Sequence, residues 1–362
     1  MSIKFLCVNN VIMKKTKTKI LVIKIGAIGD IVMALSMLST IDNKYPQAEI
    51  TWICGNTVSP LLKEFERISN LIIVDDEKLL KGNIFQRFLV LLSVWFRTIM
   101  MSFDLVINAN KDKRYKWLSA VVLSKNYRNF FGNNRKNRMV SGRYSAIEYS
   151  RLINDVDDWQ INEAKIPQLL ISPTASLKST VDKFKHPAFI FTPGGAQNLI
   201  NEGNNRRWPI NNYVSLGKMI KNKFENSEII LTGSQSDLWT VEQFTDIDIV
   251  NLIGKTELKD LIYLYNNCDL LIAHDTGLMH LAKLSKIKTI ALFGPVHPNL
   301  RVGNNENIEA IWIPNGLQCT PCYDGNVFAK CDDNICMKNI SVENVFERIL
   351  NHFSNNSMVK QF

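Results

Sequence analysis

The chain has 362 residues, of which 46% are hydrophobic and 21% charged, and a formal net charge of +9. This is the balance of a globular chain, which excludes a disordered one, and the length suits two domains of ordinary size. The positive charge admits an acidic partner (nucleic acid, an anionic membrane surface or a phosphorylated glycolipid) and equally a composition that merely uses Lys and Asn freely.

Residues 1–18 are expected to form an N-terminal extension. The start MSIKFLCVNNVIMKKTKTK lacks the apolar core and cleavage site of a secretory leader, and Met13, before Lys14-Lys15, is an alternative start. Lys19 to Ile25 predicts a buried strand, Gly26-Ala27-Ile28-Gly29-Asp30 a turn, and Ile31 to Lys44 a helix that Pro46 stops. Strands follow at Glu49 to Cys54, Leu71 to Val74 and Asp104 to Asn108, with a helix at Phe85 to Met101. The apolar run within that helix is too short to span a membrane. We expect this helix to lie in the core; the alternative is a helix on a membrane surface.

The pattern weakens from Asp155 to His186, and the interdomain linker is placed near its end. A second series has strands at Ala188–Thr192, Glu228–Thr232, Ile249–Leu252, Leu270–Ala273 and Thr289–Phe293. The last helix runs from Ser341 to His352, with Ser341 as its N-cap and Glu343 in the first turn. Apolar strands alternating with helices predict parallel sheets covered on both faces. The expected architecture is therefore α/β: two doubly wound domains, 19–180 and 188–340, facing a central cleft, with a C-terminal helix and tail at 341–362.

Five motifs bear on chemistry. In Lys24-Ile25-Gly26-Ala27-Ile28-Gly29-Asp30, the glycines permit a tight turn and Asp30 stands at the cleft mouth. Asp30 is then either a helix N-cap or a general base that takes a proton from an attacking hydroxyl. The turn lacks dinucleotide-fingerprint spacing. Pro193-Gly194-Gly195-Ala196 ends a strand, and Arg206-Arg207-Trp208-Pro209 follows; the arginines either neutralise a diphosphate or form a solvated pair beside a packed Trp208. Thr232-Gly233-Ser234-Gln235-Ser236-Asp237 places Asp237 either on ribose hydroxyls or in an ordinary helix cap. His274-Asp275-Thr276-Gly277, between a strand and a helix, has the layout that aims backbone N–H groups at a phosphate. His280, one turn on, reads as a hydrogen-bonded structural histidine. Finally, Cys319, Cys322, Cys331 and Cys336 bring four of the seven cysteines within one segment. They form either a closed structural zinc or iron site or a set of free thiols. Lys111, Lys113, Arg114 and Lys116, with Arg135, Lys136 and Arg138 further on, are candidates for the acceptor side or a solvated basic face.

Taken in order, ILVIKIGAIGDIVMALSMLSTIDNKYPQAEITWICG, FTPGGAQ with RRWP, IILTGS, NLIGKTELKDLIYLYNNCDLLIAHDTGLMHLAKL and ALFGP resemble glycosyltransferase family nine, the lipopolysaccharide heptosyltransferases. The C-terminal cysteines are similar to a pattern in part of that family. The resemblance implies a GT-B fold, with acceptor on the N-terminal and donor on the C-terminal domain. It implies an inverting, metal-independent transfer from ADP-heptose to the inner-core saccharide of lipid A, at the inner face of the cytoplasmic membrane, with no nucleic acid as partner. It makes Asp30 the catalytic base; Gly194, Gly195, Arg206, Arg207, Asp237, Asp275, Thr276 and Gly277 donor-binding; and Lys111, Lys113 and Arg114 acceptor-binding. Alternatives are another nucleotide-sugar, a protein acceptor, or a non-catalytic protein that binds nucleotide or anionic lipid. Three departures stand out: the long loop QNLINEGNN, His274 where the family has a small hydroxyl residue, and the region 108–150.

Overall fold

The computed structural model describes residues 17–132, 136, 138–157, 160–161, 163–195, 204–313, 317–323 and 328–359. Met13, Lys14, Lys15, Arg135 and residues 196–203 of the long loop lie outside them.

The first sheet contains β1 (Lys19–Ile23), β2 (Glu49–Gly55) and β3 (Asn70–Val74). Beyond them come β4 (Ser102–Phe103), β5 (Leu105–Asn108), β6 (Leu123–Ser124) and β7 (Tyr127–Asn129). The order is β3-β2-β1-β5-β7, and β4 pairs with β6 in a small ribbon. The second sheet contains β8 (Ala188–Thr192), β9 (Glu228–Leu231), β10 (Val250–Asn251), β11 (Leu270–His274), β12 (Lys288–Phe293) and β13 (Ile308–Trp312). Its order is β10-β9-β8-β11-β12-β13. Every pairing in the two sheets is parallel, as the unbroken apolar runs require.

Alternation along each central strand divides the core. Ile20 and Val22 of β1 pack with the helices Ile28–Ala34, Ser36–Lys44 and Ser145–Asn154, whereas Leu21 and Ile23 meet Val90 and Val94 of the helix Ile84–Thr98. In the second sheet, Phe189 and Phe191 face Tyr213 and the C-terminal helix Val342–Val359, while Ala188 and Ile190 join the core that holds β1. One apolar layer thus runs between the two halves.

Two expectations are corrected. The single helix over 31–44 is a pair with its junction at Leu35, where Ser36 turns its hydroxyl to the Ala146 carbonyl, 2.9 Å away. The helix expected to lie in the core buries only Val90, Val94 and Thr98 and leaves much of its apolar surface exposed. Ser341 caps the last helix as expected, accepting from the Asn344 N–H at 3.1 Å.

Candidate active site

Both sheets place their turns at switch points. The chain leaves β1 toward β2 on one side and returns to β5 on the other, so the Gly26 turn opens into a crevice. In the second sheet β8 and β11 flank the reversal, and they deliver the Gly194-Gly195 and Asp275-Gly277 turns.

The first turn is held by β2 and by the segment that follows β5. Asn110 accepts from the Ile25 N–H at 3.2 Å and donates to the Ile23 carbonyl at 3.0 Å. Lys24 N–H donates to Ile53, and the Trp52 indole to the Lys24 carbonyl. The cap position of the following helix is Ala27, with no side-chain cap, so Asp30 lies inside the first turn and is not the N-cap. Its carboxylate stands over Gly26: a Cβ there would lie 3.4 Å from Asp30 Oδ2 and 3.9 Å from Lys24 Nζ. The buried Lys24 ammonium sits 5.3 Å from the centre of the Tyr149 ring. Burial opposes its charge, but Tyr149 and Asp30 outweigh that and hold the Lys24 pKa above its ordinary value.

Across the crevice, Asp275 is the hub. Its buried carboxylate takes His280 Nε2 at 3.4 Å, Arg206 Nη1 at 3.4 Å and Arg301 Nε at 3.7 Å. Burial pushes this acid up, yet the His280 hydrogen bond and the two guanidinium groups prevail and hold it far below the usual carboxylate range. His280 is lowered to about 4, by burial and by Lys283, against the pull of Asp275. It is therefore a neutral, hydrogen-bonded histidine at pH 7. His274, buried beside Tyr213 Oη at 3.2 Å, is lowered to about 3 by burial and by Arg206 and Arg207. Thr276 caps the short helix Gly277–Leu281 through Met279 N–H at 3.3 Å.

The two arginines divide their work. Arg206 Nη1 donates to the Asp275 carbonyl at 2.9 Å, while Arg207 grips the Gly195 carbonyl through Nε and Nη2 at 2.9 and 2.8 Å. Gly195 has a φ of +75°, which favours glycine. Trp208 is a packed anchor whose indole donates to Ile340 at 2.8 Å. Asp237 takes the second of its two expected places, in a helix cap with Ser234. It is buried against Gly194, and its oxygens accept from Gly195 N–H at 2.7 Å and from Ser234 N–H and Oγ at 2.8 and 2.7 Å. It braces two glycine turns.

Among the acceptor candidates, Lys111 and Lys113 are exposed and Arg114 pairs with Asp112 at 2.6 Å. Lys136 and Arg138 are likewise exposed; their carbonyls accept from the buried Arg151, itself paired with Glu148. Burial, with Cys331 and Cys319 nearby, raises the pKa of Cys322, and burial takes that of Cys336 up to about 11. Among the described residues, however, no three His, Cys, Asp or Glu close on a metal position. No step of the chemistry is routed through an ion at these cysteines.

Sequence reasoning missed three groups here. Tyr149 lies on the unforeseen helix Ser145–Asn154. Arg301 interacts with Asp275, Tyr323 and Asp30 and so carries charge to both halves. Lys283 is buried against Tyr144 Oη at 3.0 Å and the Arg301 carbonyl, and burial lowers it to about 7. The halves meet directly at the site. A Cβ on Gly29 would lie 2.6 Å from the His280 ring, and one on Gly277 would lie 3.0 Å from Ile28.

Comparison with known proteins identifies the family and supports the fold. The family model for glycosyltransferase family 9 (heptosyltransferase) matches residues 102–331. The chain belongs to glycosyltransferase family 9. This family 9 enzyme is 26% identical over 303 residues to lipopolysaccharide core heptosyltransferase OpsX of Haemophilus influenzae, covering 80% of this chain and 82% of that one. It is also 26% identical to lipopolysaccharide heptosyltransferase 2 of Escherichia coli, over 78% of this chain and 84% of the relative. The solved structure of Escherichia coli ADP-heptose lipopolysaccharide heptosyltransferase II superposes with a TM-score of 0.69 at 20% identity, covering 94% of this chain and all of that one. A family 9 glycosyltransferase from Veillonella parvula gives 0.70 at 18%, over 93% and 97%. The fold is GT-B, and the enzyme is a glycosyltransferase.

Proposed function

We propose that this family 9 enzyme transfers heptose from ADP-heptose to the inner-core saccharide of lipid A, with inversion and with Asp30 as general base. The observation that carries the reading is the opposition of Asp30 to the Asp275 hub across helices in direct contact. The curated relatives, named as lipopolysaccharide heptosyltransferases, support the choice of sugar and acceptor.

In this reading Asp30 removes the proton from an acceptor hydroxyl. The oxygen attacks the anomeric carbon from the face opposite the diphosphate. The new glycosidic bond forms as the bond to the β-phosphate oxygen breaks, and ADP leaves with the electron pair. Lys24 places its buried ammonium beside the Asp30 carboxylate, where it complements that charge. Arg206 and the Thr276 and Gly277 amides stabilise the growing phosphate charge. Arg207 and Asp237 hold the Gly194-Gly195 turn against the donor. Lys111, Lys113 and Arg114 receive the anionic acceptor.

Asp30→Asn tests the assignment. Turnover should fall by roughly 10²–10⁴-fold with ADP binding retained; unchanged turnover would remove Asp30 from the chemistry. The configuration of the product's anomeric proton signal tests inversion. For the cysteines we propose a structural zinc or iron site on their spacing alone; purified protein carrying no stoichiometric metal would end that proposal.

A further inference from the structure

Beyond its buried side, the helix Ile84–Thr98 carries a second apolar stripe. Phe85, Phe88, Leu89 and Phe96, continued by Ile99 and Met100, recur at three- and four-residue steps that align them on one side. They are open to solvent: Phe85 is 67%, Phe96 81% and Met100 94% exposed. The helix is about 22 Å long at the usual rise. Its Trp95 indole donates to the Trp117 carbonyl at 2.7 Å, which ties the stripe to the neighbouring turn Lys113–Ser119. Trp117 is itself exposed, with the Lys116 ammonium 5.3 Å from its ring centre.

A contiguous apolar surface of this kind marks a contact site on a water-facing protein. Charge decides the partner. From residue 84 to 128 the only acids are Asp104 and Asp112. Both are paired, with Lys125 at 2.7 Å and Arg114 at 2.6 Å. Arg97, Lys113 and Lys116 are exposed around the stripe. A second copy of this chain would bring two such cationic rims together. Anionic headgroups above an acyl boundary complement both features.

We propose that the helix Ile84–Thr98, with Trp117, is the face on which this enzyme lies on an anionic bilayer, its phenylalanines inserted at the acyl boundary. The purpose of this face rests on the reading of a lipid-linked acceptor; its physics rests on the stripe and its rim.

The test is co-sedimentation with vesicles of phosphatidylglycerol and phosphatidylcholine against phosphatidylcholine alone, for wild type and Phe85→Ser/Phe96→Ser. Wild type should bind the anionic vesicles and release as salt rises from ~0.1 to ~0.5 M. The double variant should lose about 10-fold or more in partitioning. Its melting temperature and its turnover on a delipidated saccharide acceptor should match wild type, since both side chains lie in solvent. Equal partitioning of variant and wild type overturns the proposal, as does a wild type that binds neither vesicle. A wild-type dimer in sedimentation velocity that the double variant disperses would give the face to a second copy. Failure of wild type to glycosylate any lipid A saccharide, with vesicle binding intact, refutes the acceptor reading and leaves the surface standing.

Discussion

Gly29→Ala sets two opposed terms against each other. Gly29 lies inside the helix Ile28–Ala34, where alanine in place of glycine favours a helix by about 1 kcal/mol. The new Cβ would stand 2.6 Å from His280 Cδ2 and 3.2 Å from its Cγ and Nε2. Ordinary carbon contacts need about 3.5–4.0 Å, so something must yield by about an ångström. The His280 ring cannot swing freely: it is buried, with Nε2 against Asp275. Overpacking of this kind costs about 1–3 kcal/mol. The net is a loss of about 0–2 kcal/mol, a fall in melting temperature of roughly 0–8 °C. Activity should suffer far more, because the displacement falls between the Asp30 turn and the Asp275 hub, and an ångström of misplacement costs about 10²-fold. Calorimetry with kcat/KM measures both. His280→Ala in the same chain should return part of the loss, since it clears the space, and the double-mutant cycle reads that coupling. A Gly29→Ala protein that melts higher and turns over normally would refute the contact between the halves.

Acid should destabilise the fold in a defined window. His280 and His274 are lowered from 6.5 to about 4 and about 3. The unfolded chain therefore binds more protons than the folded one below pH 6.5, and stability present above that value is lost as pH falls through the folded values, at up to about 1.4 kcal/mol per pH unit for each ring. Melting temperatures flat between pH 7 and 5 would contradict this. Arg206→Ala should weaken ADP binding more than Arg207→Ala does, while both lower the melting temperature, since Arg206 pairs with the buried Asp275 and Arg207 holds the Gly195 carbonyl; calorimetric titration compares them, and the reverse order of binding loss would exchange their roles.

Legibility in the sequence followed the chemistry of burial. β8 fell where expected because its residues are apolar and buried on both faces. β13 was missed because its burial does not follow a simple pattern: Ile308 and Ile311, on opposite faces, are buried in different cores, while Glu309 between them is exposed. The helix Ser145–Asn154 was missed for a different reason. Its buried positions include Glu148 and Arg151, fully enclosed as an ion pair, and charged residues in a sequence read as surface. Tyr149 was lost with that helix. The helix Ile84–Thr98 failed in the opposite sense, since apolar character told nothing about which side would be covered. At the site, glycine turns and Asp275 were readable as strand-ending motifs. Arg301 follows no motif, and only the fold brings it to Asp275. Asp237 shows the converse, a carboxylate at a promising turn whose oxygens the backbone already uses.

The reciprocal glycines, Gly29 beneath His280 and Gly277 beneath Ile28, act as meshed teeth: each helix offers a notch to the other's bulk. Sliding one half past the other would drive a side chain out of its notch, so the two contacts together fix the register of the Asp30 turn against the Asp275 turn.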